Sequence, residues 1–185
     1  QGVSLTVHAG EVVGVAGVDG NGQRPLAEAV AGQRKLAGGD IRLGGVSMRG
    51  LSIKERQRHG LRYVTDDRLN EGIVGPLSVA VNLVTKRIGM PPFWERGRTR
   101  FAAIDAHARE LVREYDIMTP TVHAPAGSLS GGNVQKLILA RELSFKPKVV
   151  VFNKPTYGLD VKTTNAVRER IRELADGGCA GALVI

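Results

Sequence analysis

The stretch "VVGVAGVDGNGQRPLAEAVAG", residues 12–32, constrains the fold more than any other part of the chain. An apolar run, the mark of a buried strand, breaks into Gly17, Gly20 and Gly22 and resumes as a helical pattern from Pro25 to Ala31. Pro25 suits a first helical turn, where its missing N–H costs nothing. A buried strand feeding a glycine turn and then a helix is the repeating unit of an α/β fold.

The remaining segments extend that unit. Val3, Leu5 and Val7 alternate with polar or small residues and predict a half-buried strand ahead of it. "GGDIRLGGVSM" reads as a hairpin and "LRYV", residues 61–64, as a short strand. From Ser78 to Ala140 strand signals vanish. Ile104, Ala108, Leu111, Val112 and Tyr115 share a helical face there, and "MPPFWERGR" reads as a loop between helices. "KVVVF", residues 148–152, is a buried strand. Val167, Ile171 and Leu174 line a helix that stops at Gly177-Gly178, and a last strand follows. We therefore expect one α/β domain: a core with an antiparallel β subdomain over about 1–77 and 141–185, and a helical subdomain inserted over about 78–140. Because the chain opens in "GVSLTV" and stops on "GALVI", we read it as a piece of a longer polypeptide, truncated at both ends.

Composition excludes several classes. No apolar run approaches the roughly 20 residues that span a bilayer, and no signal peptide is visible. The single Cys179 gives no internal disulfide framework, and the four histidines, His8, His59, His107 and His123, are scattered without ligand spacing. A net charge of +8 suits nucleic acid, an anionic membrane surface or a phosphorylated ligand. The charges are dispersed, so they choose none of these.

The glycines match a phosphate loop, G-x4-G-K followed by Ser or Thr. In such a loop backbone N–H groups converge on phosphate oxygens at a helix N-terminus, where the dipole favours anions. Gly17, Asp19, Gly20, Asn21 and Gly22 supply the cradle, but Gln23 stands in place of the lysine and Arg24 in place of the hydroxyl residue. Alone, the pattern fits a glycine-rich strand-to-helix turn that holds no ligand better than it fits a nucleotide site.

A second stretch decides the matter. "SLSGGNVQKLILARELSFKPKVVVFNKPTYGLD", residues 128–160, resembles the signature and Walker B region of ABC-type ATPases. Leu129, Ser130, Gly131 and Gly132 match the signature, with Asn133 where Gln is usual. Pro155, Thr156 and the D-loop residues Gly158, Leu159 and Asp160 match as well. Order and spacing from loop to signature cover nearly the whole chain. "GVDGNGQ", "YVTDDR" and "LSGGNVQK" further resemble the second, C-terminal domain of the tandem ATPase subunits that serve bacterial importers of simple sugars and nucleosides. In that group the acidic Asp66 stands at the Q-loop position.

The resemblance implies a P-loop NTPase core of the ABC type. It also implies ATP as ligand, membrane permease subunits as partners, a solute-binding protein as an indirect one, and a place at the cytoplasmic face of the membrane. It places an adenine-stacking aromatic ahead of Gln1 and a phosphate-contacting histidine beyond Ile185.

The departures from the family pattern fall on the chemistry. The Walker B strand should end in Asp, which holds magnesium through water, and Glu, which polarises the attacking water; here Asn153 and Lys154 stand there. A neutral amide is a poor ligand for a hard cation, and a protonated lysine cannot act as general base. With Gln23 and Arg24, four catalytic positions are altered together, so no catalytic set is complete and the domain should not hydrolyse ATP by itself. Its own site either keeps ATP weakly, with Arg24 and Lys154 supplying positive charge, or has Arg24 in solvent and Lys154 paired with an acid such as Asp66 or Asp160. The signature is complete. In the family it serves the ATP held by the partner domain's loop, so the resemblance implies that Leu129–Asn133 completes the site of the N-terminal ABC domain of the same polypeptide, with magnesium at that partner site only. Two other readings compete: a soluble ABC-type ATPase acting on nucleic acid, against which this chain lacks the long insertions such proteins carry, and a dimerisation module that binds no nucleotide. Salt-dependent DNA binding would favour the former, and calorimetry with ATP separates the latter.

Overall fold

The computed structural model describes residues 2–185, which form two units. Labels run in chain order through both.

The first unit comprises the chain up to Asp66 together with Phe145–Tyr157 and Val161–Ile185. Strands β1 (Val12–Gly14), β4 (Leu61–Val64), β7 (Val149–Phe152) and β8 (Gly181–Val184) make a parallel sheet in the order β1-β8-β7-β4. Val150, Val151, Phe152 and Ala182 on the two central strands are wholly buried, as expected where helices cover both faces of a parallel sheet. Helix α1 (Gln23–Ala31) lays Ala27 against Val151 and Leu183, and α6 (Val161–Asp176) buries Val167, Ile171 and Ala175. Helix α1 ends on Gly32, whose left-handed φ of 89° closes the turn. A Cβ there would lie 2.9 Å from Nε of Arg56. That buried arginine belongs to α2 (Ile53–Arg58), and its Nη1 donates to the carbonyls of Ala29 and Val30, each at 2.8 Å. It thereby satisfies carbonyls that the end of α1 leaves open.

Two expectations fail in this unit. "GVSLTV" forms no ladder among the described residues, and Val3 and Leu5 are exposed. Strand β1 is half-open rather than buried, with Val12 45% exposed. Both have one cause: β1 lies at the sheet edge and pairs with β8 alone, so apolar sequence there meets a neighbour on one side only. Helix α1 also starts at Gln23, ahead of Pro25. The expected hairpin is present as β2 (Arg42–Leu43) and β3 (Val46–Ser47) around Gly44 and Gly45, both with positive φ.

The second unit comprises Asp67–Ser144 with Gly158–Asp160, a wider span than 78–140. A π turn (Arg68–Gly72) leads to α3 (Val79–Val84), then a small hairpin of β5 (Trp94–Glu95) and β6 (Arg98–Thr99), then α4 (Phe101–Glu114) and α5 (Gly131–Leu143). Ile104, Ala108 and Leu111 on the expected face of α4 are buried with Leu83, Leu137 and Ile138. Asn82, fully buried, ties down the approach to α3: its Oδ1 accepts from the Val74 N–H and its Nδ2 donates to the carbonyls of Val74, Leu77 and Ser78. "MPPFWERGR" is not a loop. Arg96 and Gly97 turn with positive φ, and Phe93 is buried edge-on to Trp94 and tilted against His107. Among the described residues no helix is long and apolar enough to cross a membrane.

Candidate functional site

Two groups of sequence-singled residues are built separately, one in each unit. In the first unit β1 runs into the glycine loop, where Gly20 and Gly22 adopt φ of 90° and 101°, a region open to glycine at no steric cost. Gly22 starts α1 without a side-chain cap. The Gln23 side chain folds back across this loop, and its Nε2 donates to the Val18 carbonyl at 2.9 Å. A Cβ on Gly17 would lie 2.5 Å from that nitrogen, so the bare backbone at Gly17 is what admits the amide. The Gln23 Oε1 is buried and unpaired.

Asp19 projects from the same loop. Its Oδ1 accepts from the Gly20 N–H at 3.0 Å and from the Lys154 ammonium at 2.6 Å. The hydrogen bond and charge of Lys154 hold the Asp19 carboxyl below the usual carboxylate range, and the hydrogen bond that Lys154 donates to Asp19 pushes the ammonium up. Lys154 follows β7 with a left-handed φ of 45°, and its N–H donates to the Ile185 carbonyl at 2.7 Å. The acid it meets is thus Asp19, and not Asp66 or Asp160. Asp66 instead accepts from Asn153 Nδ2 at 2.8 Å, and Asn153 is fully buried with its Oδ1 unpaired.

Arg24 does not stand in solvent alone. Its Nε donates to Glu28 at 2.9 Å, and its Nη1 lies 3.9 Å from Asp66. Glu28 also accepts from Arg34 at 2.9 Å, and the hydrogen bonds from Arg24 and Arg34 keep its carboxyl low. Asp19, Lys154, Arg24, Glu28 and Asp66 therefore each have a partner on the protein.

These residues do not fit magnesium. A hard cation calls for anionic oxygens, whereas β7 ends in a neutral amide and an ammonium, with a guanidinium on α1. Nor do they fit terminal phosphates as they stand. The amide of Gln23 lies in the loop, and Lys154 is committed to Asp19.

The second unit holds the other group. Leu129 is half-buried after a short 3-10 turn, and Ser130 is extended, so that its Oγ caps α5 by accepting from Asn133 N–H and, at 3.0 Å, from Asn133 Nδ2. Asn133 is fixed in turn because its Oδ1 accepts from the Met118 N–H at 2.9 Å. Lys136, one turn further along, holds both the carbonyl and the carboxylate of Asp116. The cap leaves the N–H groups of Gly131 and Gly132 without intrahelical acceptors, at the positive end of the helix dipole. Such an end receives anions. Gly158, with φ of 64°, Leu159 and Asp160 form the turn that precedes α6.

Sequence reading passed over two residues here. Arg68 of "YVTDDR" donates from Nε to Oε1 of the buried Gln135 at 2.9 Å, and its Nη1 would lie 3.6 Å from a Cβ on Gly131. Both stood inside quoted motifs, but no local rule joins residues so far apart.

Residues 1–157 match the family model described as ABC transporter. The nucleoside import ATP-binding protein NupA of Lactococcus lactis subsp. cremoris is 37% identical over 180 residues, covering 97% of this chain and 36% of that protein. The glucose import ATP-binding protein TsgD13 of Haloferax volcanii is 40% identical over 184 residues, covering 98% of this chain and 34% of that protein. The chain thus spans about a third of the length of these curated relatives. Among solved structures, a dimeric ATP-binding cassette in a post-hydrolysis state, bound to ADP and Pi, superposes with a TM-score of 0.79 at 21% identity, over 97% of this chain and 76% of that one. A nucleotide-free cassette from an ABC transporter gives 0.80 at 20% identity, over 99% and 73%.

Proposed function

This chain belongs to the ABC transporter family, and from that premise we propose that it is the second, C-terminal ATP-binding domain of a tandem subunit energising uptake of a sugar or nucleoside. The names of the relatives, for nucleoside and glucose import, and the third of their length that the chain spans support this reading. Its partners are then the first ATP-binding domain of the same polypeptide and the membrane permease subunits, with a solute-binding protein reached through them. Its place is the cytoplasmic face of the membrane. Its positive charge is dispersed and calls for no nucleic acid.

The observation that carries the mechanistic part is the Lys154–Asp19 pair at 2.6 Å. A cation stands where the water-polarising carboxylate of the family would be, and a carboxylate of the loop itself accepts it. Gln23, Arg24, Asn153 and Lys154 thus form a closed set that supplies neither metal ligand nor base. What this domain contributes is Leu129–Asn133. Donors fixed at the start of α5, aimed at charge that develops on a terminal phosphate, stabilise the transition state without reorganising. That phosphate belongs to ATP, with magnesium, on the partner domain's loop.

The test is steady-state hydrolysis and solute uptake by single variants of the full subunit assembled with its permease. Losing one such donor costs on the order of a hundredfold in rate, so Ser130→Ala should fall substantially. Gly131→Asp should fall further, because a side chain blocks the backbone and a carboxylate repels phosphate. Gln23→Ala and Arg24→Ala should leave turnover within about threefold, since they face a site without chemistry. Equal or greater loss from Gln23→Ala than from Gly131→Asp would show the two composite sites assigned the wrong way round.

A further inference from the structure

We propose that the glycine loop is a latent phosphate site held shut by an internal anion: the Asp19 carboxylate takes the donors that a polyphosphate chain would use. The inference rests on the reading of this loop as a phosphate cradle without catalytic groups, and it adds the means by which the cradle is closed.

Three observations within the first unit carry it. The first is the use made of the loop's own donors. A phosphate cradle works by turning successive backbone N–H groups toward one anion. Here the Gly20 N–H donates to Asp19 Oδ1 at 3.0 Å, and the Asn21 N–H turns to the Val18 carbonyl at 3.4 Å. Two donors of the loop are thereby spent on the loop itself.

The second is the ammonium. Lys154 reaches the loop from the end of β7, across 135 positions of chain, and donates to the same Oδ1 at 2.6 Å. One carboxylate oxygen thus accepts from a backbone N–H of the cradle and from a cation on another element. That is a donor set suited to a phosphate oxygen, filled by a carboxylate of the chain. Asp19 is largely exposed, so the pair holds itself together only weakly. What closes the loop is charge. A phosphate that takes Lys154 must lie beside the displaced Asp19 carboxylate, and like charges a few ångström apart repel.

The third is Gln23. Its Nε2 donates to the Val18 carbonyl at 2.9 Å and stands 2.5 Å from where a Cβ on Gly17 would be, so the amide fills the inside of the turn. Its Oε1 is buried there without a hydrogen bond. A buried acceptor without a donor costs free energy. The side chain therefore gains by leaving, and the closed loop is poised to open.

The experiment titrates inorganic tripolyphosphate, without magnesium, into the purified chain by calorimetry, with circular dichroism to establish that each variant is folded. Tripolyphosphate isolates the phosphate contacts from anything that recognises a base. The variants are Asp19→Asn, Gln23→Ala, Lys154→Met, and Asp19→Asn combined with Lys154→Met. Asp19→Asn keeps the shape of the side chain and removes its charge, and should tighten binding about tenfold over wild type. Gln23→Ala should gain less, on the order of threefold, because it clears the turn but leaves the anion. Lys154→Met should gain nothing, since it leaves Asp19 in the loop and removes a donor. Added to Asp19→Asn, it should erase the gain. Magnesium should not strengthen the gained binding, because neither Asn153 nor Lys154 offers it an anionic oxygen.

A folded Asp19→Asn that binds tripolyphosphate no better than wild type would overturn the inference. So would a gain that survives Lys154→Met or that requires magnesium. If Asp19→Asn does not fold, Asp19→Ser takes its place, with the same expected gain and the same refuting result. These outcomes leave the trans role of the signature standing, because that role is read from Gly131→Asp in the assembled importer. Magnesium-dependent turnover by the purified chain would instead remove the reading of a loop without chemistry, and this inference with it.

Discussion

Replacing Lys86 with methionine should destabilise the helical unit that carries the signature helix, and do so in a pH-dependent way. Glu142, near the end of α5, has no exposed side-chain surface, and its Oε1 accepts from Lys86 at 2.7 Å and from Arg141 at 2.8 Å. Burial alone would push this carboxyl up, but the combined charges and hydrogen bonds of Lys86 and Arg141 hold it below its ordinary value. Removing one partner of a buried ion pair costs about 3–5 kcal/mol. Arg141 remains on the same oxygen, so the lower end, about 3 kcal/mol, applies. At about 2–4 °C per kcal/mol for a chain of this size, Tm should fall by roughly 6–12 °C.

The sign of the pH dependence follows from the two partners. In the native protein the depressed carboxyl contributes stability that is present above the unfolded value of ~4.3 and lost as pH falls through the lower folded value. In Lys86→Met burial dominates and the folded value rises above ~4.3, so stability now falls as pH rises through that window. The assay is thermal unfolding by circular dichroism of wild type and variant, at about pH 5 and about pH 7.5, where linkage predicts the smaller deficit at the lower pH. A Tm deficit under about 2 °C, or one that grows on acidification, would refute the reasoning from burial.

Other outcomes are expected. The purified chain should show no magnesium-dependent ATP turnover above background in a phosphate-release assay, and Gln23→Lys should not restore it, because Asn153 and Lys154 still supply neither metal ligand nor base. His107, whose imidazole is pushed down by burial and by the nearby charge of Arg87, should make folding less stable as pH falls below ~6.5, since the unfolded chain binds that proton more readily. His107→Phe keeps a ring against Phe93 and should flatten the slope of Tm against pH in that range.

Much of this protein is set by neighbours in sequence. The strand, glycine turn and helix of residues 12–31 are a periodicity followed by residues free to adopt positive φ, and both are local properties. Ser130 capping α5 through Asn133 is a contact three residues long, so "LSGGN" announces its own geometry. The absence of carboxylates at Asn153 and Lys154 is likewise plain from composition at two positions. Tertiary structure decided the rest, because partners and burial depend on what arrives from elsewhere. Lys154 meets Asp19 across 135 positions of chain, and Arg68 meets Gln135 across 67; no periodicity ranks one acid or amide above another at such separations. Apolar alternation in "GVSLTV" and the run at β1 promise burial only if strands lie on both sides, and the order β1-β8-β7-β4 leaves β1 at an edge. The turn in "MPPFWERGR" forms because Arg96 accepts a left-handed conformation that its side chain disfavours, compensated by burial of Phe93 against His107. Such strain is repaid by packing, and packing is the one quantity that pattern along the chain does not contain.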